Sequence, residues 1–189
     1  LSKLVNKERA AQNIVEKMKK KKFEIISSVK PNRKRIYHEL GYSYGIYSLN
    51  KNSLLGSFYT ELGFVNIVDN VNTQEEYPKI EESLIIEKNP EIILVGHKEG
   101  VGSRVENRPS WSNISAVKNK KIIYLEENLA NNWGISSVDL LEDIAVQTGL
   151  IQTVENEKRD SLHWLFYIVV IISSVLIMNN RTRKTKEHS

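Results

Sequence analysis

The segment from Tyr77 to Gly96, YPKIEESLIIEKNPEIILVG, constrains the fold more than any other part of the chain. Ile80, Leu84, Ile85 and Ile86 recur at helical spacing, and Asn89-Pro90 stops the run because proline disfavours the α conformation in the residue before it. The helix ends there. Ile92-Ile93-Leu94-Val95 then forms a short unbroken apolar run closed by Gly96, the pattern of a strand buried on both faces of a parallel sheet. A helix feeding directly into such a strand is half of a βαβ unit, so the expected fold class is α/β.

A chain of 189 residues has room for one ordinary domain with a sizeable core, plus an appendage. It contains no cysteine, which excludes disulfides, thiolate metal sites and cysteine nucleophiles. The net charge of +4 raises the question of nucleic acid, but the basic residues gather in two terminal clusters, Lys17 to Lys22 and Arg181 to Lys186, not on a motif-bearing helix. No nucleic-acid partner is expected, and the first lysine run reads as a solvated helix face.

Taken in order, residues 1–30 read as one long helix, because Leu4, Ile14, Val15, Met18 and Ile25 fall near helical spacing and no glycine or proline intervenes before Pro31. Arg35 to Leu40 alternates like a strand and is followed by a turn at Gly41. Tyr42, Tyr44 and Tyr47 come next in a stretch with two readings: tyrosines lining a ligand cleft, or a half-buried strand edge. Asn52-Ser53 can cap a helix from Leu54 to Leu62 that Gly63 stops.

Beyond the Ile92–Val95 strand, the loop from Gly96 to Gly102 sits where ligands bind in an open α/β sheet, at a strand's carboxyl end. His97 there is either a contact for an anionic or metal-bearing ligand or a solvated loop histidine. Gly100 and Gly102 do not make a phosphate loop, since no Lys-Ser/Thr pair follows them. Ile122 to Leu125 is the next strand, and Ser136-Ser137 can cap a last helix, Val138 to Thr148, with Leu141, Ile144 and Ala145 inward and Gly149 at its end.

Two of these segments carry a resemblance. The helix, Asn89-Pro90, the acidic Glu91 and the aliphatic strand resemble a signature of the ABC-transporter substrate-binding proteins for ferric siderophores, haem and cobalamin. Arg108-Pro109-Ser110-Trp111-Ser112-Asn113-Ile114-Ser115-Ala116-Val117-Lys118-Asn119 is similar to a second signature of that family, also followed by a strand. The likeness runs from about Lys34 to Ile151 and implies a three-layer α/β C-terminal lobe, residues 31–153, of a bilobal binding protein, with residues 1–30 as the long helix joining the lobes. Because the chain starts at Leu1, the other lobe is expected upstream in a longer precursor.

The resemblance also implies site residues. Tyr77-Pro78 looks like the aromatic-proline pair that packs a ring on the ligand in cobalamin-binding members, and Trp133-Gly134 looks like the siderophore-contacting loop. Trp111 is expected as packing between helix and sheet before any ligand contact. The glutamate with which the family docks on permease arginines falls on Ser83, a departure that leaves Glu82 and Glu81 as the nearby docking candidates. Both would equally favour a helix N-terminus as plain charges.

Residues 162–178, Leu162 to Met178, hold no charged residue, and about 17 residues at helical rise reach roughly 25 Å, the short end of a bilayer span. A single transmembrane helix is expected, with Trp164 and Tyr167 in an interfacial belt and Arg181, Arg183, Lys184 and Lys186 following at once. Positive residues stay inside, so residues 179–189 are expected to be a cytoplasmic tail and the α/β lobe to be extracytoplasmic, joined by a tether at 154–161. Asn113-Ile114-Ser115 is a glycosylation sequon.

The function these features imply is capture without chemistry. A membrane-anchored binder takes an iron complex or a corrinoid into an interlobe cleft and hands it to an ABC permease with its ATPase; no cofactor of its own is expected. The alternatives are an extracytoplasmic sensor or adhesion module, and an enzyme on a related α/β scaffold. Against the enzyme stand the missing nucleophile elbow, HExxH motif, Walker loop and dinucleotide fingerprint.

Overall fold

The computed structural model describes residues 8–71, 75–98, 104–126 and 136–151. Four strands, β1 (Arg35–Glu39), β3 (Val65–Asn66), β5 (Ile92–Val95) and β6 (Ile122–Tyr124), form a sheet in the order β3-β1-β5-β6. All its pairings are parallel. A second, two-stranded antiparallel sheet joins β2 (Ile46–Tyr47) to β4 (Lys79–Ile80). Among the described residues the α-helices are α1 (Glu8–Ser28), α2 (Leu54–Glu61), α3 (Glu82–Lys88), α4 (Ser115–Lys118) and α5 (Ser137–Gln147).

Side-chain alternation along the strands builds two cores, one on each face of the sheet. Ile36, Ile92, Leu94 and Ile123 point to one face and pack with Leu55 and Phe58 of α2 and the inner residues of α5. Tyr37, Ile93 and Val95 point to the other and pack with Ile85 of α3, Ala116 of α4 and the fully buried Trp111. The layers are therefore helix, sheet, helix. The unbroken apolar run of β5 is buried at all four positions, as a strand covered on both sides must be.

The Asn89-Pro90-Glu91 stretch works as a staple. Asn89 caps α3 in the left-handed conformation, and its Oδ1 accepts the Ser115 N–H at 2.7 Å, tying the end of α3 to the start of α4. Its carbonyl accepts Arg35 Nε at 3.0 Å, and Glu91 Oε2 accepts the Arg35 N–H at 3.1 Å, so β1 and β5 begin from one shared anchor. Ser53 caps α2 as its sequence suggests, accepting the Gly56 N–H at 3.1 Å, and Gly63 ends it at φ +80°.

Three local expectations change. Ile80 does not belong to α3 but to β4, where it pairs with Ile46; its helical spacing with Leu84 is coincidental, and its side chain is buried from a strand. Ser136 lies in the right-handed helical region and makes no side-chain cap bond with α5. The lysine run of α1 is not merely solvated. Lys21 meets Asp139 and Glu142 of α5 at 2.6 Å each, and Lys22 meets Glu61 at 2.7 Å while lying over the Phe58 ring. Exposed pairs of this kind contribute about 1 kcal/mol or less each, but together with buried Ile25 they fix which face of α1 lies on α2 and α5.

Among the described residues no helix is long and apolar enough to cross a membrane. The span expected at residues 162–178, the tether and the basic tail lie outside the described residues.

Close approach sets one test of the packing. A Cβ on Gly56 would sit 1.9 Å from the Asn50 carbonyl oxygen, whereas one on Gly41 would meet nothing within 4 Å. Gly56→Ala is expected to lower stability by about 2 kcal/mol or more in urea unfolding, although alanine is the better helix former by about 1 kcal/mol. Gly41→Ala should stay within about 1 kcal/mol of the parent.

Candidate functional site at the carboxyl ends of the strands

Parallel register brings the site together. Glu39, the last residue of β1, lies beside Val95, the last of β5, so residues leaving either strand emerge at the same edge. The Glu39 carboxylate is fully buried. Arg108 grips it in two parallel bonds, Nη1 to Oε2 and Nη2 to Oε1, each 2.7 Å. His97 Nε2 lies 2.8 Å from Oε1, and the Tyr37 hydroxyl donates to Oε2 at 3.2 Å. A carboxylate only accepts, so the His97 Nε2–H donates to Oε1.

Burial pushes the Glu39 carboxyl up, but the bonds from Arg108 and then His97 outweigh it and hold the group below its ordinary value. Burial pushes the Tyr37 phenol well up, with the Glu39 charge adding to it. For Arg108, burial works against the charge and the Glu39 pairing more than restores it. The guanidinium is also layered between rings, 3.5 Å from the centroid of Tyr42 and 4.4 Å from that of Trp111.

On the opposite face, at the preceding position of β1, His38 Nδ1 lies 2.6 Å from the Tyr59 hydroxyl. Its Nε2 is buried without a hydrogen-bond partner and packs against Gly96, where a Cβ would come within 2.7 Å of it. Desolvation pushes this imidazole down to about 3, so it stays neutral.

A cavity of about 380 Å³ opens beside this cluster, lined by His97, Lys98, Arg104, Arg108 and Tyr124 with apolar Val95, Val105 and Leu125. It lies beyond the carboxyl ends of β5 and β6, where an open α/β sheet presents ligands to its loops. Arg104 sits over the Tyr124 ring at 5.2 Å, and the Tyr124 hydroxyl donates to Glu106 Oε2 at 2.6 Å.

Of the residues singled out in the sequence, the structure brings His97 and Tyr42 together around Glu39 and Arg108. Within the tyrosine stretch, Tyr42 lies against the Arg108 guanidinium and Tyr47 forms the half-exposed edge of β2. Tyr44 stands almost fully exposed, at 96 %, on the turn between them. Tyr77 packs on the core shared by α1, α2 and α5, and does not line the cavity. Trp133 lies outside the described residues. Glu82 Oε1 accepts Ser110 Oγ at 2.6 Å and the Trp111 indole N–H, which binds α3 to the turn carrying Arg108; Glu81 and Ser83 are exposed beside it.

Sequence reasoning missed Glu39, Arg108, Arg104 and Tyr124. The available signal was a charged residue ending a strand otherwise read as buried, together with an arginine opening the second signature.

A parallel sheet covered by helices on both faces, with a polar cavity at its carboxyl edge, is an α/β architecture consistent with a periplasmic binding protein. The chain belongs to the periplasmic binding protein family, whose model matches residues 1–129. A possible iron-binding (periplasmic solute-binding) protein from Staphylococcus epidermidis is similar in fold, with a TM-score of 0.68 at 22% identity over 78% of this chain and 58% of that one. The ABC-type Fe3+-hydroxamate transport system of Saccharomonospora viridis gives 0.68 at 21% identity, over 78% of this chain and 52% of the other. A cobalamin-binding protein of Halobacterium salinarum is 31% identical over 64 residues, 34% of this chain and 16% of its own length. The chain thus spans little more than half of these structural relatives and a smaller part of the curated one.

Two outcomes test the electrostatics. Glu39→Ala strands a buried guanidinium and should cost about 3–5 kcal/mol, whereas Glu39→Met combined with Arg108→Met should recover most of the loss. The pH profile follows from two depressed groups. Unfolded His38 takes up its proton near its ordinary 6.5 and folded His38 only near 3, so stability should fall as pH drops through that window. Glu39 adds a further loss as pH falls below the ordinary carboxylate range. Urea unfolding at stepped pH should show His38→Gln flatter than the parent between pH 6.5 and 5, with the carboxylate-range loss retained.

Proposed function

We propose that this chain is the C-terminal lobe of a membrane-anchored substrate-binding component of an ABC importer for iron complexes or corrinoids. The observation that carries the reading is the cavity at the strand ends, its aromatic and cationic wall backed by the buried Glu39–Arg108 pair. It supports capture, with the second half of the cleft supplied by an upstream lobe. The family relatives are solute-binding proteins, and binding followed by release unchanged fits this chain better than catalysis. Tyr42 and His97 act as ligand contacts, Tyr44 and Trp133 extend the contact area, Tyr77 backs the lobe from the core rather than the cavity, and Glu81 with Glu82 forms the acidic face offered to the permease.

Of the two acids Glu81 is the more available, because Glu82 already holds Trp111 and Ser110. Residues 162–178 hold the lobe at the outer face of the membrane. Anchoring replaces free diffusion by a high local concentration near the transporter.

Titration of the full-length protein with haem, ferric siderophores and cyanocobalamin should find at least one ligand bound with a Kd of about 1 μM or tighter. No binding to any of them would remove the transport reading. No cysteine occurs in these 189 residues, so single cysteines introduced into them, expressed as this chain, can report topology in intact cells. Ser83→Cys should react with a membrane-impermeant maleimide, and Ser189→Cys only after permeabilisation. The reverse pattern would overturn the orientation.

A further inference from the structure

Two of the three groups that fill the Glu39 carboxylate bear on one side chain, the indole of Trp111. The Arg108 guanidinium lies 4.4 Å from its ring, and the Tyr37 ring meets it edge-on with centroids 6.1 Å apart. The segment that carries Trp111 has little backbone order of its own. Val105–Asn107 and Pro109–Trp111 are single 3-10 turns, so side-chain anchors must set where the ring sits. Trp111 is fully buried, and among the described residues its indole N–H donates to one acceptor, Glu82 Oε1. That oxygen also accepts Ser110 Oγ at 2.6 Å. Glu82 is half-buried and opens α3 between exposed Glu81 and Ser83. A continuous run of contacts thus leads from the outer end of α3, through Trp111, Arg108 and Glu39, to His97 in the cavity wall.

Resting on the binding-protein reading above, we infer that Glu82 is a positioning residue for the ligand cavity, acting through Trp111 on Arg108 and His97, and is more than a charge held for docking. A buried N–H that loses its acceptor is costly, so without the Glu82 carboxylate the indole turns toward another partner. The guanidinium and the phenol then lose the ring they rest on, and the bond between Glu39 and His97 relaxes with them. The tie also runs outward. A cation of the permease that draws the Glu82 carboxylate away competes with the indole N–H for the same oxygen, so contact at the outer end of α3 and grip in the cavity oppose each other.

The test uses the full-length protein with isotope-labelled tryptophan and histidine, read by NMR without ligand. Glu82→Ala should move the Trp111 indole N–H resonance upfield and, at a distance, displace the His97 imidazole resonances. Glu82→Gln, whose amide oxygen still accepts, should leave both near the parent. Glu87→Ala, the same charge loss at an exposed position of α3, should do likewise. A role confined to holding α3 would move the indole alone. Trp111→Phe, which keeps a ring but removes the N–H, should displace the His97 resonances in the same direction as Glu82→Ala. With haem, ferrichrome and cyanocobalamin as probes, Glu82→Ala should weaken by about tenfold whichever the parent binds, and by less than about twofold in the Trp111→Phe background. Unmoved His97 resonances in Glu82→Ala, or full additivity with Trp111→Phe, overturns the positioning role and leaves the transport reading standing. If the parent binds no probe, the transport reading falls, and the His97 resonances still decide whether Glu82 positions the wall.

Discussion

The pairing of Glu39 with Arg108 is the constraint around which the carboxyl edge of the sheet is organised. A buried carboxylate is costly unless its acceptors are filled, and this one is filled by a guanidinium, an imidazole and a phenol drawn from separate segments. Arg108 in turn requires the turn that carries it to lie against the sheet. That turn is held by Trp111, whose ring packs edge-on to Tyr37 and whose N–H reaches Glu82 at the start of α3. One ion pair therefore links β1, the loop after β5, the turn before α4 and the first residue of α3.

The sheet makes this possible by simple geometry. Parallel strands in register deliver all their carboxyl ends to one edge, and alternation sends Tyr37 and Glu39 to one face and Ile36 and His38 to the other. The staple at Asn89 and Glu91 fixes where β1 and β5 begin, and so fixes that Glu39 and Val95 end level with one another. Two ionisable residues adjacent in β1 thus meet opposite fates: Glu39 is charged and paired, while His38 is neutral beneath Gly96.

Much of the fold was legible because it rests on local signals. The apolar run of β5, the Ser53 cap and the Gly63 stop each act within a few residues and appear where expected. Ile80 misled because a buried strand residue can fall by chance at helical spacing from the next helix. The centre of the site was not legible, because a glutamate at a strand end looks the same whether it is solvated or buried. What decides is Arg108, 69 residues further along, brought in by tertiary structure alone. Position was readable at His97, but its bond to Glu39 was not. The lysines of α1 show the same limit, since a charge run does not reveal that Asp139, Glu142 and Glu61 wait on two other helices.

On the binding-protein reading proposed above, this arrangement gives the ligand a stiff, preformed wall. Rigid backing lowers the ordering cost at binding, so aromatic area and charge placement translate more directly into affinity. The most direct measurement is iron-edge anomalous diffraction from crystals of the full-length protein grown with a ferric chelate. The account predicts a single metal peak beyond the ends of β5 and β6, in the space bounded by His97, Arg104 and Tyr124. A peak elsewhere on the lobe, or none with the chelate bound in solution, would contradict it.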